Sequence, residues 1–284
     1  IFIFSTTSFF YTQDGWTHLA RGGAFYKALA DGQLPVRWTG DLNYSYGMPL
    51  FNFVFQFPYM LMSTFIFLGF GLVTSLKIIT LLSFIFSGIF MFLFSRNFFE
   101  NKNEAWIVTI FYQFFPYRLV DMFVRGSIGE AFTFTFLPLV LYGVVLCFKK
   151  TTTKAVISIA VGTAGLIISH LALGSVFLAT AMLFVLVFIP KIKKSIVVFS
   201  SMGLGLGLSA YYWLPAFLEH KYTYGSYFAK DLYNSHFVPF FNFENLNFSF
   251  IPQPGLALSN VTVETPMTPP LTAKFLSISP SITG

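Results

Sequence analysis

The sequence predicts an all-α, polytopic bundle of transmembrane helices, and three observations lead there. Charged residues make up only 10% of the chain against 55% hydrophobic ones, where a water-soluble domain carries about 25% charge. Apolar runs of about 18 to 20 residues recur along it, the length that crosses a bilayer as helix. Runs such as "LLSFIFSGIFMFLF" lack the every-second-residue polarity of a barrel strand.

The formal charge of +6 does not point to nucleic acid, because the basic residues fall in short loops between apolar runs. Clusters at Arg96 to Lys102, Lys149 to Lys154 and Lys191 to Lys194 hold eight of the seventeen Lys and Arg residues. That is the signature of cytoplasmic loops, and the partner it implies is the lipid bilayer. The single cysteine, Cys147, permits no internal disulfide and carries no redox information. The opening "IFIFSTTSFF" is apolar from its first residue, without Met or a basic flank, so it reads as half a membrane helix rather than a signal peptide. The whole reads as a piece of a longer protein.

Residues 11–50 are expected to form a first external loop. Within it 15–30 reads as a helix with Asp14 as N-cap, stopped by Gly32 and Pro35. Trp16, Leu19, Ala20, Tyr26 and Ala30 lie in one arc, so this helix is expected to float on the membrane surface. Residues 51–70 read as a juxtamembrane or re-entrant element interrupted near Pro58, and 74–95 as the crossing that reaches the first basic loop; the alternative is two plain crossings over 51–95, which puts one basic loop on the wrong side. A hairpin follows (104–122 and 130–148), then a second over 155–189 turning near "SHLALG". Residues 195–217 cross outward once more, bending at Trp213–Pro215. Counting the stub, this gives about seven crossings in a transmembrane module spanning 1–218. Residues 219–284, aromatic and rich in Asn and Pro, read as an external loop or the start of an extracytoplasmic region.

This topology gathers the acids, Arg and His at the outer face, while the inner loops are simply basic. Charge near the bilayer centre costs about 3 kcal/mol even on lenient scales, so such groups are expected to have partners. Asp14 and His18 stand four apart on one helix face. They can hold a divalent metal, the His can orient a catalytic carboxylate, or they are a cap and an interfacial His. Arg37 and Asp41 form either a solvated pair or a phosphate clamp, since guanidinium matches phosphate oxygens. Arg125 and Glu130 bracket a Gly-containing turn that starts a helix. Such an end suits an anionic group, and the plainer reading is a carboxylate in a first helical turn. His170 at a hairpin tip is a site residue or a satisfied structural histidine, and Glu219 is a site acid or a rim charge.

The order of pieces is "DGWTHL", "LPVRWTGDLNYSYGMPLFNF", "RGSIGEAFTFTFLPLVLYG", "SHL" and "AYYWLPAFLE". Over roughly residues 1–220 it resembles the bacterial membrane proteins named as related to 6-pyruvoyl-tetrahydropterin synthase. Those in turn resemble the GT-C superfamily of membrane glycosyltransferases. Similarity to a soluble pterin synthase is not the point: the histidines are His18, His170, His220 and His236, with no close pair for zinc. The GT-C resemblance implies a seven-helix module in the inner (plasma) membrane, a polyprenyl-phosphate sugar as donor, and a catalytic acid in the first external loop, where Asp14 stands. It implies that Arg125, or else Arg37, stabilises the leaving phosphate, and that His18 orients Asp14 or helps bind a metal. The chain departs from that pattern in having no Asp-x-Asp or Asp-Glu pair after Asp14, which leaves metal use open. The rival classes are a transporter or flippase for a lipid-linked glycan and a non-catalytic assembly protein. A flippase predicts polar residues along helix interiors. Lys77, placed near the inner end of its span, is the one charge found near a span.

Overall fold

The computed structural model describes residues 12–99, 101–188 and 192–223. They form helices α1 (Gly15–Ala30), α2 (Phe57–Phe67), α3 (Leu72–Phe99), α4 (Lys102–Gln113), α5 (Pro116–Val120), α6 (Ile128–Lys149), α7 (Thr153–Ser169), α8 (Leu171–Phe188), α9 (Ile192–Leu208) and α10 (Ala210–Glu219). No strand occurs among the described residues, and the only sheet-like feature there is one bridge, Thr39 to Met48.

Three helices, α3, α6 and α8, are long and apolar enough to cross a bilayer. Two bent pairs raise the number to five, α4 with the Pro116–Arg125 segment (46°) and α9 with the Ala210–Tyr222 segment (70°). α2 and α7 are shorter apolar helices. Of the seven expected crossings, then, three to five are present by length and composition among the described residues. The opening stub and the loop beyond Thr223 lie outside them.

Packing sets the direction of each helix. Ser83 of α3 accepts from Thr135 of α6, and further along both chains Phe94 packs with Tyr142 and Val145. These two helices therefore run parallel. α4 runs back against α3, with Trp106 against Phe92 and Gln113 bonded to Ser87. α7 lies against α6 with small residues at the contact. A Cβ on Gly162 would come within 2.7 Å of Val140, and one on Gly143 within 2.7 Å of Ile159. Close approach of this kind supplies the dispersion contacts that drive helix association where lipid is as apolar as the helices.

The directions bring Phe99, Lys149, Thr153, Phe188 and Ile192 to one end, with the basic loops. The start of α3, the Asp121–Ile128 turn, His170 and the end of α9 gather at the other. Lys77 belongs to that second end, one turn into α3 and buried, not to the inner end expected of it. Two local expectations also change. Pro58 occupies the first turn of α2, where its missing N–H costs nothing, so it starts a helix instead of interrupting one. The chain turns at Ser209, and Pro215 sits inside α10.

Proline inside α6 shows how the bundle settles its polar backbone. Pro138 has no N–H for the carbonyl four residues earlier, that of Phe134. The Tyr112 hydroxyl of α4 donates to this carbonyl at 2.6 Å. At the same level the guanidinium of Arg118, 1% exposed, donates to Gln113 and Ser87 and lies over the rings of Phe84, Tyr112 and Phe134 at 5.2–5.7 Å. The break between α4 and α5 is thus filled by one cation and its neutral partners, as irregular backbone inside a membrane requires.

Tyr112→Phe leaves the Phe134 carbonyl without its donor and is expected to cost about 1–3 kcal/mol, read as a lower melting temperature of the detergent-solubilised protein. Pro138→Ala restores an N–H for that carbonyl, so in the Pro138→Ala background the Tyr112→Phe loss should shrink. Equal losses in both backgrounds would remove this account of Tyr112.

Candidate functional site

Asp14 occupies the N-cap position of α1, yet its carboxylate makes no cap hydrogen bond. What holds it is backbone. The N–H groups of Gln13 and Asp14 donate to the carbonyls of Val124 and Arg125 at 3.0 and 2.8 Å. Those carbonyls are available because the π-helical turn Asp121–Arg125 ends there. The N–H groups of both Gly126 and Ser127 go to Asp121 O, leaving later carbonyls without an intrahelical donor. Gly126 closes the turn at φ 75°, and a Cβ there would run into the Thr12 side chain. Only glycine meets both demands.

The turn also builds an ion cluster. Arg125 bonds Asp121 Oδ1 and Glu130 Oε1, each at 3.0 Å, and Glu130 Oε2 accepts from Tyr117 at 3.0 Å. The Asp121 side chain is 2% exposed and that of Glu130 10%, while Arg125 keeps 35%. Asp121 Oδ2 is buried with no partner. A guanidinium carries five N–H donors. The two bridges and a longer bond to the Tyr117 hydroxyl (3.4 Å) fix its orientation and leave the remaining donors uncommitted on a side chain 35% exposed.

The face of α1 that turns into the bundle carries Gly15, His18, Leu19, Gly22 and Phe25, a helical i, i+3, i+4 stripe. Of the arc expected to lie on the membrane surface, Trp16 is 61% exposed while Leu19 belongs to this inward stripe. The stripe seats on α2, with Gly22 against Met62. His18 is buried and shares a 2.7 Å hydrogen bond between Nδ1 and the Tyr59 hydroxyl. Its Nε2 is buried without a partner. Arg21 reaches the same hydroxyl, and the charge of Asp14 acts on it too. His18 Nδ1 is thus engaged with Tyr59, and its bond to Asp14 is helical backbone, His18 N to Asp14 O at 2.9 Å. Burial, and secondarily the Arg21 charge, pushes the His18 imidazole down to about 4.

The Asp14 backbone thus meets Arg125, whose guanidinium holds Asp121 and Glu130, and Asp121 is close enough for Asp14 to act on it electrostatically. His170 lies beside them: Arg125 and Glu130 both act on it, and its ring meets Phe55 at 5.7 Å. Its Nδ1 caps α8 by accepting from Leu173 N at 3.2 Å, so its structural role is satisfied. Arg37, Asp41 and Glu219 belong elsewhere. Arg37 donates to Asn52 at 2.9 Å and to the Tyr211 carbonyl at 3.2 Å, and Asn52 donates to Glu219 at 2.8 Å. This chain ties the first loop to α10. Asp41 pairs with Lys27 at 2.8 Å, not with Arg37.

Sequence reasoning did not single out Asp121, Tyr59, Tyr117 or Arg21 as site residues. The Asp121–Arg125 spacing of four was the available signal. The other three are set by contacts between helices, which no local pattern carries. Among the described residues no three His, Cys, Asp or Glu side chains come together as a metal ion needs, so the Asp14–His18 metal option finds no donor set. A narrow cleft with room for about one water (≈ 10 Å³), lined by Thr12, Gly15, Thr80, Met122 and Gly126, opens beside the π turn.

A family model described as 6-pyruvoyl-tetrahydropterin synthase related domain, membrane protein, matches residues 51–254. The match takes in Arg125, Glu130, His170 and Glu219 and begins after Asp14, His18, Arg37 and Asp41. No curated protein matches, and no solved structure does.

The His18 environment makes a pH prediction. Between pH 6.5 and about 4 the unfolded chain binds a proton that folded His18 refuses. The native state therefore loses stability as pH falls through that window, by up to about 3 kcal/mol, and regains it above pH 6.5. Melting of the detergent-solubilised protein at pH 7.5 and 4.5 checks this against His18→Gln, which should show a smaller pH-dependent difference. An identical difference in both proteins would contradict the assignment.

Proposed function

The chain belongs to the 6-pyruvoyl-tetrahydropterin synthase-related family of membrane proteins, and from that premise we propose that it is a GT-C-like glycosyltransferase. In this reading it takes a sugar from a polyprenyl-phosphate donor on the outer face of the plasma membrane. The observation that carries the reading is the junction of Asp14 with Arg125: a carboxylate with no capping duty, bonded through its own N–H to the residue whose guanidinium is held by two carboxylates.

The chemistry follows from the groups. The acceptor hydroxyl oxygen attacks the anomeric carbon of the donor sugar, and its proton passes to the Asp14 carboxylate as general base. The bond from that carbon to the phosphate oxygen breaks, and the phosphate leaves with the electron pair. The uncommitted donors on Arg125 stabilise the growing negative charge. Asp121 and Glu130 are positioning residues, since they fix the guanidinium before the lipid arrives. Arg37 is the weaker choice for this task, because its donors already go to Asn52 and Tyr211.

The test is sugar transfer in membranes carrying the full-length protein, fed labelled polyprenyl-phosphate sugars. Asp14→Asn keeps size and hydrogen-bonding shape and should lower turnover by about 10²–10⁴. Arg125→Met should lower it by about 10²–10³, and Arg37→Met by much less. Transfer that Asp14→Asn leaves intact would remove the catalytic assignment, and the protein would then be read as a non-catalytic or lipid-moving member of its family.

A further inference from the structure

A second pocket lies in the first external loop, at the far end of α1 from Asp14. Sixteen residues of helix put about 24 Å between the two ends. The cavity has a volume of ≈ 170 Å³ and is lined by Lys27 and Asp31 from the end of α1 and by Gln33, Trp38, Gly40 and Asp41 from the loop. None of these residues enters the transfer chemistry, and the inference drawn from them stands whether or not that chemistry does. The geometry points to a binding site for a neutral polyol about the size of one sugar ring.

Size sets the first limit. At ≈ 170 Å³ the space is below the several hundred Å³ that larger organic ligands fill.

Charge sets the second. Lys27 is bonded to both oxygens of Asp41 at 2.8 Å, and Asp31 adds its charge to the same neighbourhood. One cation against two carboxylates gives the lining a net charge of −1, which repels phosphate and sulfate. The pocket is therefore not a second donor-phosphate site.

The donor and acceptor inventory sets the third. The Lys27 ammonium has three donors and spends two on Asp41. Gln33 Oε1 accepts from the N–H groups of Arg37 and Trp38 at 3.5 and 3.2 Å, which leaves its NH₂ group free of that turn. The Asp31 carboxylate, at the exposed end of α1, accepts only. Adjacent donors and acceptors of this kind suit hydroxyl groups, each of which gives one hydrogen bond and receives others.

The aromatic wall completes the recognition surface. Trp38 is 48% exposed, and Gly47 packs against it so closely that a Cβ would come within 2.7 Å of indole Cε2. Gly47 has φ 77°, and the bridge from Thr39 to Met48 closes the loop around it. One side of the indole is braced by backbone and its remaining surface is open, so the ring is a prebuilt platform for the C–H face of a sugar.

The experiment uses the full-length protein in nanodiscs and saturation-transfer NMR, with methyl glucoside and methyl mannoside as neutral probes and glucosamine and inorganic phosphate as charged ones. Saturation should reach the ring C–H protons of at least one neutral hexoside, beyond the level of protein-free nanodiscs. Trp38→Ala and Asp31→Asn should each raise the dissociation constant about tenfold or more, the size of one lost hydrogen bond to a charged group. Asp31 is exposed at a helix end, so its variant folds even if Trp38→Ala does not. Asp14→Asn should leave this signal unchanged, which separates the pocket from the transfer site. Absence of any hexoside signal, saturation of phosphate or glucosamine alone, or a hexoside signal that survives both substitutions overturns the assignment.

Discussion

The end of the bundle that carries Asp14 depends on two backbone hydrogen bonds, from Gln13 and Asp14 to the carbonyls of Val124 and Arg125. They join segments more than a hundred residues apart, and they work because the helical turn stops at Arg125, where the last carbonyls have no intrahelical donor. Single π turns are frequent at functional sites. Here the turn does a second task, since it carries Asp121 and Arg125 on one face, four residues apart. Their bridge then gathers Glu130 from the next helix.

The interior of the bundle follows the same logic at a different depth. Arg118 is almost fully buried, and an isolated guanidinium in hydrocarbon is costly. The cost is offset locally: two hydrogen-bonded neutral side chains and three aromatic faces surround it. Because Tyr112 both faces this cation and covers the carbonyl orphaned by Pro138, the break between α4 and α5 and the proline in α6 are one structural unit. This also bears on a translocation path through the bundle. The buried polar groups near Arg118 are turned toward each other and enclosed by rings, and they do not line an open route.

How much of this was readable in the sequence depends on the range of the interaction. The span of α1 and its stop at Gly32 were readable because cap, stop and length are local signals. The polarity of the two ends was readable because Lys and Arg cluster in loops and apolar runs count residues directly. The buried face of α1 was not. His18 and Gly22 look like surface residues until Tyr59 and Met62 arrive from α2. The Arg37–Asp41 pairing failed similarly, since Asn52 and Lys27 each offered a better partner from outside the local window. Pro58 and Pro215 were read as breaks, yet both sit inside helices. Pro58 stands in a first turn, where its N–H is not needed, and the Tyr211 carbonyl that Pro215 leaves without a donor is taken by Arg37.

The two ends of α1 invite comparison, because each joins helix to loop by a salt-bridged group and they differ in what is left over. At the C-terminal end the Lys27–Asp41 pair is exposed on both sides, so it holds the loop weakly against water. The recognition there rests on shape and on Trp38. At the N-terminal end the carboxylates of Asp121 and Glu130 are buried while Arg125 is only half covered. Their attraction is poorly screened, and the guanidinium stays where the backbone puts it. A group held this firmly loses little freedom when it meets a ligand, which is the physical content of preorganisation. Asp14 differs from Asp121 and Glu130 in that, among the described residues, no hydrogen bond consumes its carboxylate, although it stands where caps normally form. A helix start that forgoes its cap gives up about 1 kcal/mol. A carboxylate left uncommitted at that expense, at the one point where α1 touches Arg125, is better explained by something it meets than by the fold that carries it.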